Sequence, residues 1–122
     1  MEEFNSLVCS TFDIQEEGKE LYGKFLAKCP MMSHWLVRKE GRAVSTLSTL
    51  IDGSVASFWN CVTVPDARRQ GLSTALWCFA LQDAIQRGCR IGMSYLMSDG
   101  LAFGICSKLG FQTKWHFHVF MK

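Results

Sequence analysis

The stretch of this chain richest in chemistry runs Val62-Thr63-Val64-Pro65-Asp66-Ala67-Arg68-Arg69-Gln70-Gly71-Leu72-Ser73-Thr74-Ala75-Leu76. A β-branched segment stops at a proline, a short basic loop follows, and a glycine stands where a helical apolar pattern begins. The first N–H groups of a helix have no partner within it, and the aligned peptide dipoles add positive potential at that end, so an anion can bind there. Gly71 lets a phosphate approach the backbone closely, Ser73 and Thr74 add hydroxyl donors, and Arg68 and Arg69 add charge. The loop is not a Walker loop, because no Gly-Lys-Ser/Thr ends it, and no Gly-x-Gly-x-x-Gly exists elsewhere. An ordinary strand–turn–helix with a solvated basic turn has the same spacing, and the pattern alone leaves both readings open.

Other candidates are weaker. Cys9, Cys29, Cys61, Cys78, Cys89 and Cys106 are irregularly spaced with no Cys-x-x-Cys, which disfavours a disulfide framework, a zinc knuckle or a redox pair. Most are expected to be reduced core residues, as in Trp77-Cys78-Phe79. His116 and His118 share one face of a terminal strand whose other face holds Trp115, Phe117 and Val119. They can supply a base, but a plain polar strand face explains them more simply. With no carboxylate nearby in sequence they make no metal site, and no metal is expected. Trp35, Trp59 and Trp77 are expected in the core, Trp59 with a second role available as lining for an acceptor pocket.

The elements that must position these groups follow from periodicity. Glu3–Cys9 reads as a short helix and Glu16–Lys28 as a longer one with Leu21, Tyr22, Phe25 and Leu26 on one stripe, ended by Cys29-Pro30. His34–Arg38, Ala43–Ile51 and Ser54–Val64 read as antiparallel strands joined by turns at Glu40-Gly41 and Asp52-Gly53. Leu72, Ala75, Leu76, Phe79, Ala80 and Ala84 recur at helical spacing up to Gly88. Cys89–Leu96 reads as a central strand covered on both faces, Asp99–Leu109 as a helix capped by Gly110, and Phe111–Met121 as a closing strand. The fold class is α+β with a mostly antiparallel sheet.

Composition bounds the function. The chain has 122 residues, 48% of them hydrophobic and 20% charged, with a net charge of +2. That predicts one domain, 1–122, with a real core, and excludes disorder. The longest apolar run, Ala75–Leu81, is far short of the roughly 20 residues of a membrane span. The opening Met1-Glu2-Glu3-Phe4 is no export leader, so a cytoplasmic location is expected. The small charge gives no nucleic-acid footprint.

Arg68-x-x-Gly71-x-Ser73, preceded by Val62-x-Val64-Pro65, resembles the acyl-CoA signature Arg/Gln-x-x-Gly-x-Gly/Ala of the GNAT N-acetyltransferases. Lys108-Leu109-Gly110-Phe111 is similar to that family's Lys-Leu-Gly-Phe ending of the last helix. With the element order, the resemblance covers about residues 33 to 121. It implies helices on both faces of the sheet and the CoA pyrophosphate on the backbone amides of Arg69, Gln70, Gly71, Leu72, Ser73 and Thr74, beside Arg68. It also implies that the pantetheine arm lies along Val62, Thr63 and Val64 and bonds the backbone at Val62 and Val64. The strand carrying them would splay from Ile91–Tyr95, and a backbone N–H near Val62 would polarise the thioester.

Some positions depart from the pattern. Cys106 stands where the family often has a Tyr that protonates the leaving thiolate, Asp99 where an Asn or Ser contacts the cofactor, and Ser73 where Gly or Ala is usual. Asn60 stands near a common Glu base and can position water or the amine but take no proton. The resemblance therefore implies an acetyl-CoA-dependent N-acetyltransferase acting on a small-molecule or peptide amine, with Asn60 and Cys106 as catalytic candidates. The alternative is a domain that keeps CoA binding or a structural role with little turnover. The family's first strand has no counterpart before the leading helices, which leaves three expectations: an additional domain of a longer protein completes the acceptor side, a homodimer partner does so, or the pocket is open.

Overall fold

In the computed structural model, which describes residues 1–98 and 100–118, two leading helices come first: α1 (Glu2–Thr11) and α2 (Glu16–Ala27). Each opens on a pair of glutamates, favourable against the positive end of a helix. α1 buries Phe4, Val8 and Cys9. α2 buries only Leu26 and half-buries Tyr22, whereas Leu21 and Phe25 face solvent, so the expected stripe is narrower than its spacing suggests.

Three antiparallel strands follow, β1 (Met32–Lys39), β2 (Arg42–Asp52) and β3 (Val55–Thr63). Glu40 and Gly41 both take positive φ (53° and 77°) in the first tight turn, the backbone twist that suits a two-residue hairpin. A short 3-10 turn over Pro65–Ala67 leads into α3 (Leu72–Gln86), then β4 (Ile91–Ser94) and α4 (Leu101–Lys108). The sheet order is β1-β2-β3-β4, with β4 parallel to β3. This is the expected α+β architecture with helices on both faces. Leu47, Ala56, Phe58, Trp77, Ala80, Ala84 and Cys106 pack together beneath α3 and α4, and Phe4, Val8, Leu26 and Val62 pack beneath α1 and α2 on the other face.

Several expectations need correction. β4 is an edge strand among the described residues, and Ile91 and Gly92 are exposed rather than covered. α3 is turned from its expected face, because the Trp77 indole takes the core position while Ala75, Cys78 and Phe79 lie outside. Cys9 and Cys106 are the fully buried cysteines; Cys29, Cys61 and Cys89 are half-buried and Cys78 is exposed, all of them free thiols. Residues 111–118 alternate aromatic and polar types yet form no strand, since such a pattern needs a ladder partner. The rest of the expected closing strand lies outside the described residues, as does Asp99.

Candidate functional site

The site is built on an irregularity in β3. Ser48 pairs with Trp59, but Thr46 pairs with Val62, so β3 carries one residue more than β2 across this interval. Asn60 absorbs it with a left-handed φ of 57°, uncommon for a residue with a side chain. The extra residue sends Asn60 and Val62 to the α1/α2 face, while Phe58 and Cys61, three apart, share the α3/α4 face.

Hydrogen bonds fix which way the backbone points. The Asn60 carbonyl accepts from Thr46 Oγ1 (2.8 Å) and the Val62 carbonyl from Ser45 Oγ (3.0 Å), both on the β2 side. In a trans peptide the N–H opposes the C=O, so the Cys61 and Thr63 N–H groups point away from β2. On that side β4 has already ended: its ladder with β3 stops at Phe58–Ser94, whereas β3 runs on to Thr63. The strands splay as expected, but the outward amides belong to Cys61 and Thr63. The Val64 N–H is committed to the Val44 carbonyl (2.9 Å), and the antiparallel alternation turns Val62 toward Thr46 in the same way. The backbone expectation for Val62 and Val64 is corrected on this ground; the Val62 side chain lies in the core under α1 and α2.

The loop beyond β3 is tied to it. The Arg68 Nε donates to the outward Thr63 carbonyl at 3.0 Å. Arg69 and Gly71 both take left-handed φ (62° and 76°), and Gly71 is the residue from which α3 starts. No side chain caps that start, so the amides of Leu72, Ser73 and Thr74 keep the positive end of α3 open. A Cβ on Gly71 would meet nothing within 4 Å, so the space beside the glycine is open to an incoming group. Arg42 bonds Asp66 (2.6 Å) and holds its carboxyl below the usual range, and Lys39 bonds the Gln70 side chain (2.7 Å). Arg68, Arg69, Gln70 and Thr74 are exposed, and Leu72 and Ser73 are half-buried, with Ser73 Oγ 3.4 Å from Cys61 Sγ.

On the α1/α2 face Asn60 is the centre of a polar chain. The Tyr22 hydroxyl donates to Asn60 Oδ1 (2.6 Å), Asn60 Nδ2 donates to Ser48 Oγ (3.0 Å), and Ser48 Oγ lies 2.8 Å from His34 Nδ1. Burial lowers the His34 pKa and raises that of Tyr22, the latter opposed by its bond to Asn60. His34 is thereby held neutral and Tyr22 protonated near pH 7.

Cys106 lies elsewhere. It is buried in the apolar layer under α3 and α4, and burial, with nearby Cys61 adding to it, pushes its thiol up to about 12. Such a thiol is a poorer acid than an ordinary cysteine at about 8.5, so its environment opposes the proton-donor role expected of it. His116 and His118 are exposed, and Trp59 is 40% exposed beside Tyr95 rather than in the core (ring centroids 5.7 Å apart).

Tyr22, Ser48 and His34 carry no signal as a motif, because they come from three elements far apart in sequence. Strand alternation puts His34 and Ser48 each on a polar position, but simple counting from the Glu40-Gly41 turn places His34 opposite Leu47. The observed partner is Ser48, because β2 bulges near Val37/Arg38.

Residues 2–111 match the acetyltransferase (GNAT) family. Comparison with curated proteins gives no match. Among solved structures, the aminoglycoside N-acetyltransferase AAC(6')-Iy with a CoA bisubstrate analogue superposes with TM-score 0.79 at 15% identity, over 99% of this chain and 90% of that one. An acetyltransferase of Trypanosoma brucei gives 0.76 at 17% identity, covering 98% and 91%. Glucosamine-6-phosphate N-acetyltransferase of Arabidopsis thaliana gives 0.73 at 14% identity, covering 97% and 88%. These likenesses concern the fold, and the sequence match over residues 2–111 adds descent: the chain belongs to the acetyltransferase (GNAT) family.

Proposed function

We propose that the chain is an acetyl-CoA-dependent N-acetyltransferase. The observation that carries this reading is the open edge of β3, with its outward Cys61 and Thr63 amides, running directly into the uncapped start of α3. The residues fit CoA as a co-substrate. The amides of Arg69 to Thr74, with Arg68 and Arg69, suit a pyrophosphate. The amide-bearing pantetheine suits the strand edge that β4 leaves unpaired, in the manner of an added strand. The Cys61 N–H is placed to donate to the thioester oxygen, and its bond strengthens as that oxygen gains charge.

Acetyl-CoA supplies the activated acyl group. A neutral amine attacks the thioester carbon, the N–C bond forms, and the C–S bond breaks. CoA leaves as the thiolate and takes up a proton from solvent, the nitrogen gives one up to solvent, and amide and free CoA thiol remain. A small-molecule or peptide amine is the acceptor class in this reading. A second reading, CoA binding with little turnover, is favoured by the buried Cys106, whose raised pKa leaves that position without a competent acid.

Calorimetric titration with acetyl-CoA tests what the two readings share, and absence of binding at millimolar ligand sinks both. Release of free CoA thiol in the presence of aminosugars, alkylamines and dipeptides separates them. Amine-dependent release supports the transferase, and tight binding without release supports the second reading.

A further inference from the structure

A left-handed backbone is strained for a residue with a Cβ, though least so for asparagine, and Asn60 is tied down at three points. Its Oδ1 accepts from the Tyr22 hydroxyl (2.6 Å), its Nδ2 donates to Ser48 Oγ (3.0 Å), and its carbonyl accepts from Thr46 Oγ1 (2.8 Å). Ser48 and Thr46 lie on β2 and flank the interval in which β3 carries its extra residue. Of the three ties, only the one from Tyr22 comes from outside the sheet. Tyr22 is itself fixed by the seating of α2 on α1. The Asn5 amide of α1 donates to the Lys19 carbonyl (3.1 Å) and lies where a Cβ on Gly23 would come within 3.0 Å of it. Any relaxation at Asn60 swings the peptides on both sides of it, and the second of these carries the Cys61 N–H.

We propose that Tyr22 is a positioning residue for acetyl transfer: through Asn60 it locks the left-handed turn of β3 and so aims the Cys61 amide at the thioester oxygen. The inference rests on the transferase reading above. A turned Asn60 amide keeps both side-chain contacts with donor and acceptor exchanged, so the lock holds for either arrangement of the protons. The bond from the Cys61 N–H strengthens as the thioester oxygen gains charge, so its aim is felt in kcat rather than in the binding of acetyl-CoA.

A double-mutant cycle of Tyr22→Phe and Asn60→Gly tests this, read on kcat and on the nitrogen resonance of the Cys61 amide. Phenylalanine keeps the ring and removes the bond, whereas glycine takes a left-handed backbone with no side chain to hold it. Outright loss of such a donor costs about a hundredfold or more, and Tyr22→Phe is expected to lower kcat about tenfold with KM for acetyl-CoA changed less than about threefold. In the Asn60→Gly background the same change is expected to cost less than about twofold. The Cys61 resonance is expected to move on Tyr22→Phe in the wild type and not in the Asn60→Gly background. Equal losses of kcat in both backgrounds would mean that Tyr22 acts without Asn60, on substrate or on the fold, and overturn the proposal, as does an unchanged kcat in Tyr22→Phe. An unmoved Cys61 resonance in Tyr22→Phe overturns it alone, whether or not Asn60→Gly folds. No transfer from the wild type to any amine fails the transferase reading instead, and the resonance then decides whether Tyr22 holds the Cys61 amide.

Discussion

Asn60 and Cys61 are neighbours in sequence but occupy opposite environments. Asn60 enters a chain of hydroxyl, amide and imidazole groups under α1 and α2; Cys61 lies on the face of Phe58, Trp77 and Cys106 under α3 and α4. One face spends its packing on orientation of polar groups, the other on apolar burial that holds α3 and its loop against the strand. The extra residue in β3 joins the two, and it turns the Cys61 amide toward the open strand edge. In the proposed reading the chemistry falls on the seam, where one face supplies rigidity and the other polar groups.

The sharpest way to break the apolar side is Trp77→Ala. The indole is fully buried, 5.0 Å from the Phe58 ring, and donates to Cys61 Sγ (3.3 Å). Removing it leaves a cavity between α3 and β3, and a loss of about 3–5 kcal/mol in chemical denaturation is expected. A loss below about 1 kcal/mol would mean that this face is not what anchors α3.

Gly71→Asp tests the seam at its loop end. Aspartate tolerates a left-handed backbone better than most residues, so the fold is expected to survive. Its carboxylate would stand at the start of α3, where a phosphate is meant to lie, and acetyl-CoA affinity should fall by about a hundredfold or more in calorimetry, from like-charge repulsion and lost approach. Unchanged affinity with an intact circular dichroism spectrum would remove the loop from the binding site.

The polar face answers to acid. Burial depresses the His34 pKa, so the unfolded chain takes up that proton first. Stability from this group is whole above the unfolded value of about 6.5 and declines as pH falls below it, and His34→Gln should flatten that decline in urea melts between pH 7 and 5. Glu3 and Asp66, held down by Arg38 and Arg42, add a decline of the same sign but at lower pH, below their own unfolded values, so they do not mask it.

The two faces also differ in what the sequence could reveal. The loop was readable because a proline, a basic run and a glycine act over a few consecutive residues, and the hairpins because Glu40-Gly41 and Asp52-Gly53 are local turn chemistry. The polar chain was not, since its members lie on α2, β1, β2 and β3 and meet only after two bulges have each slipped the register by one residue. Nothing in Trp59-Asn60-Cys61 announces the bulge. Likewise the face α3 buries depends on the size of the Trp77 indole rather than on the period of its smaller neighbours, and the alternation of 111–118 pairs with no strand among the described residues.

The smallest effect expected is at Cys106, and it separates the faces most cleanly. Position in the motif suggests a proton donor; its surroundings make it core. With the thiol pushed up to about 12, well above an ordinary thiol, Cys106 is a poor donor to a departing CoA thiolate, which in this reading takes its proton from solvent. Cys106→Ala should therefore change kcat by less than about threefold, while the small void under α4 lowers stability by about 1 kcal/mol. A hundredfold loss of kcat with unchanged acetyl-CoA affinity would place Cys106 in the chemistry.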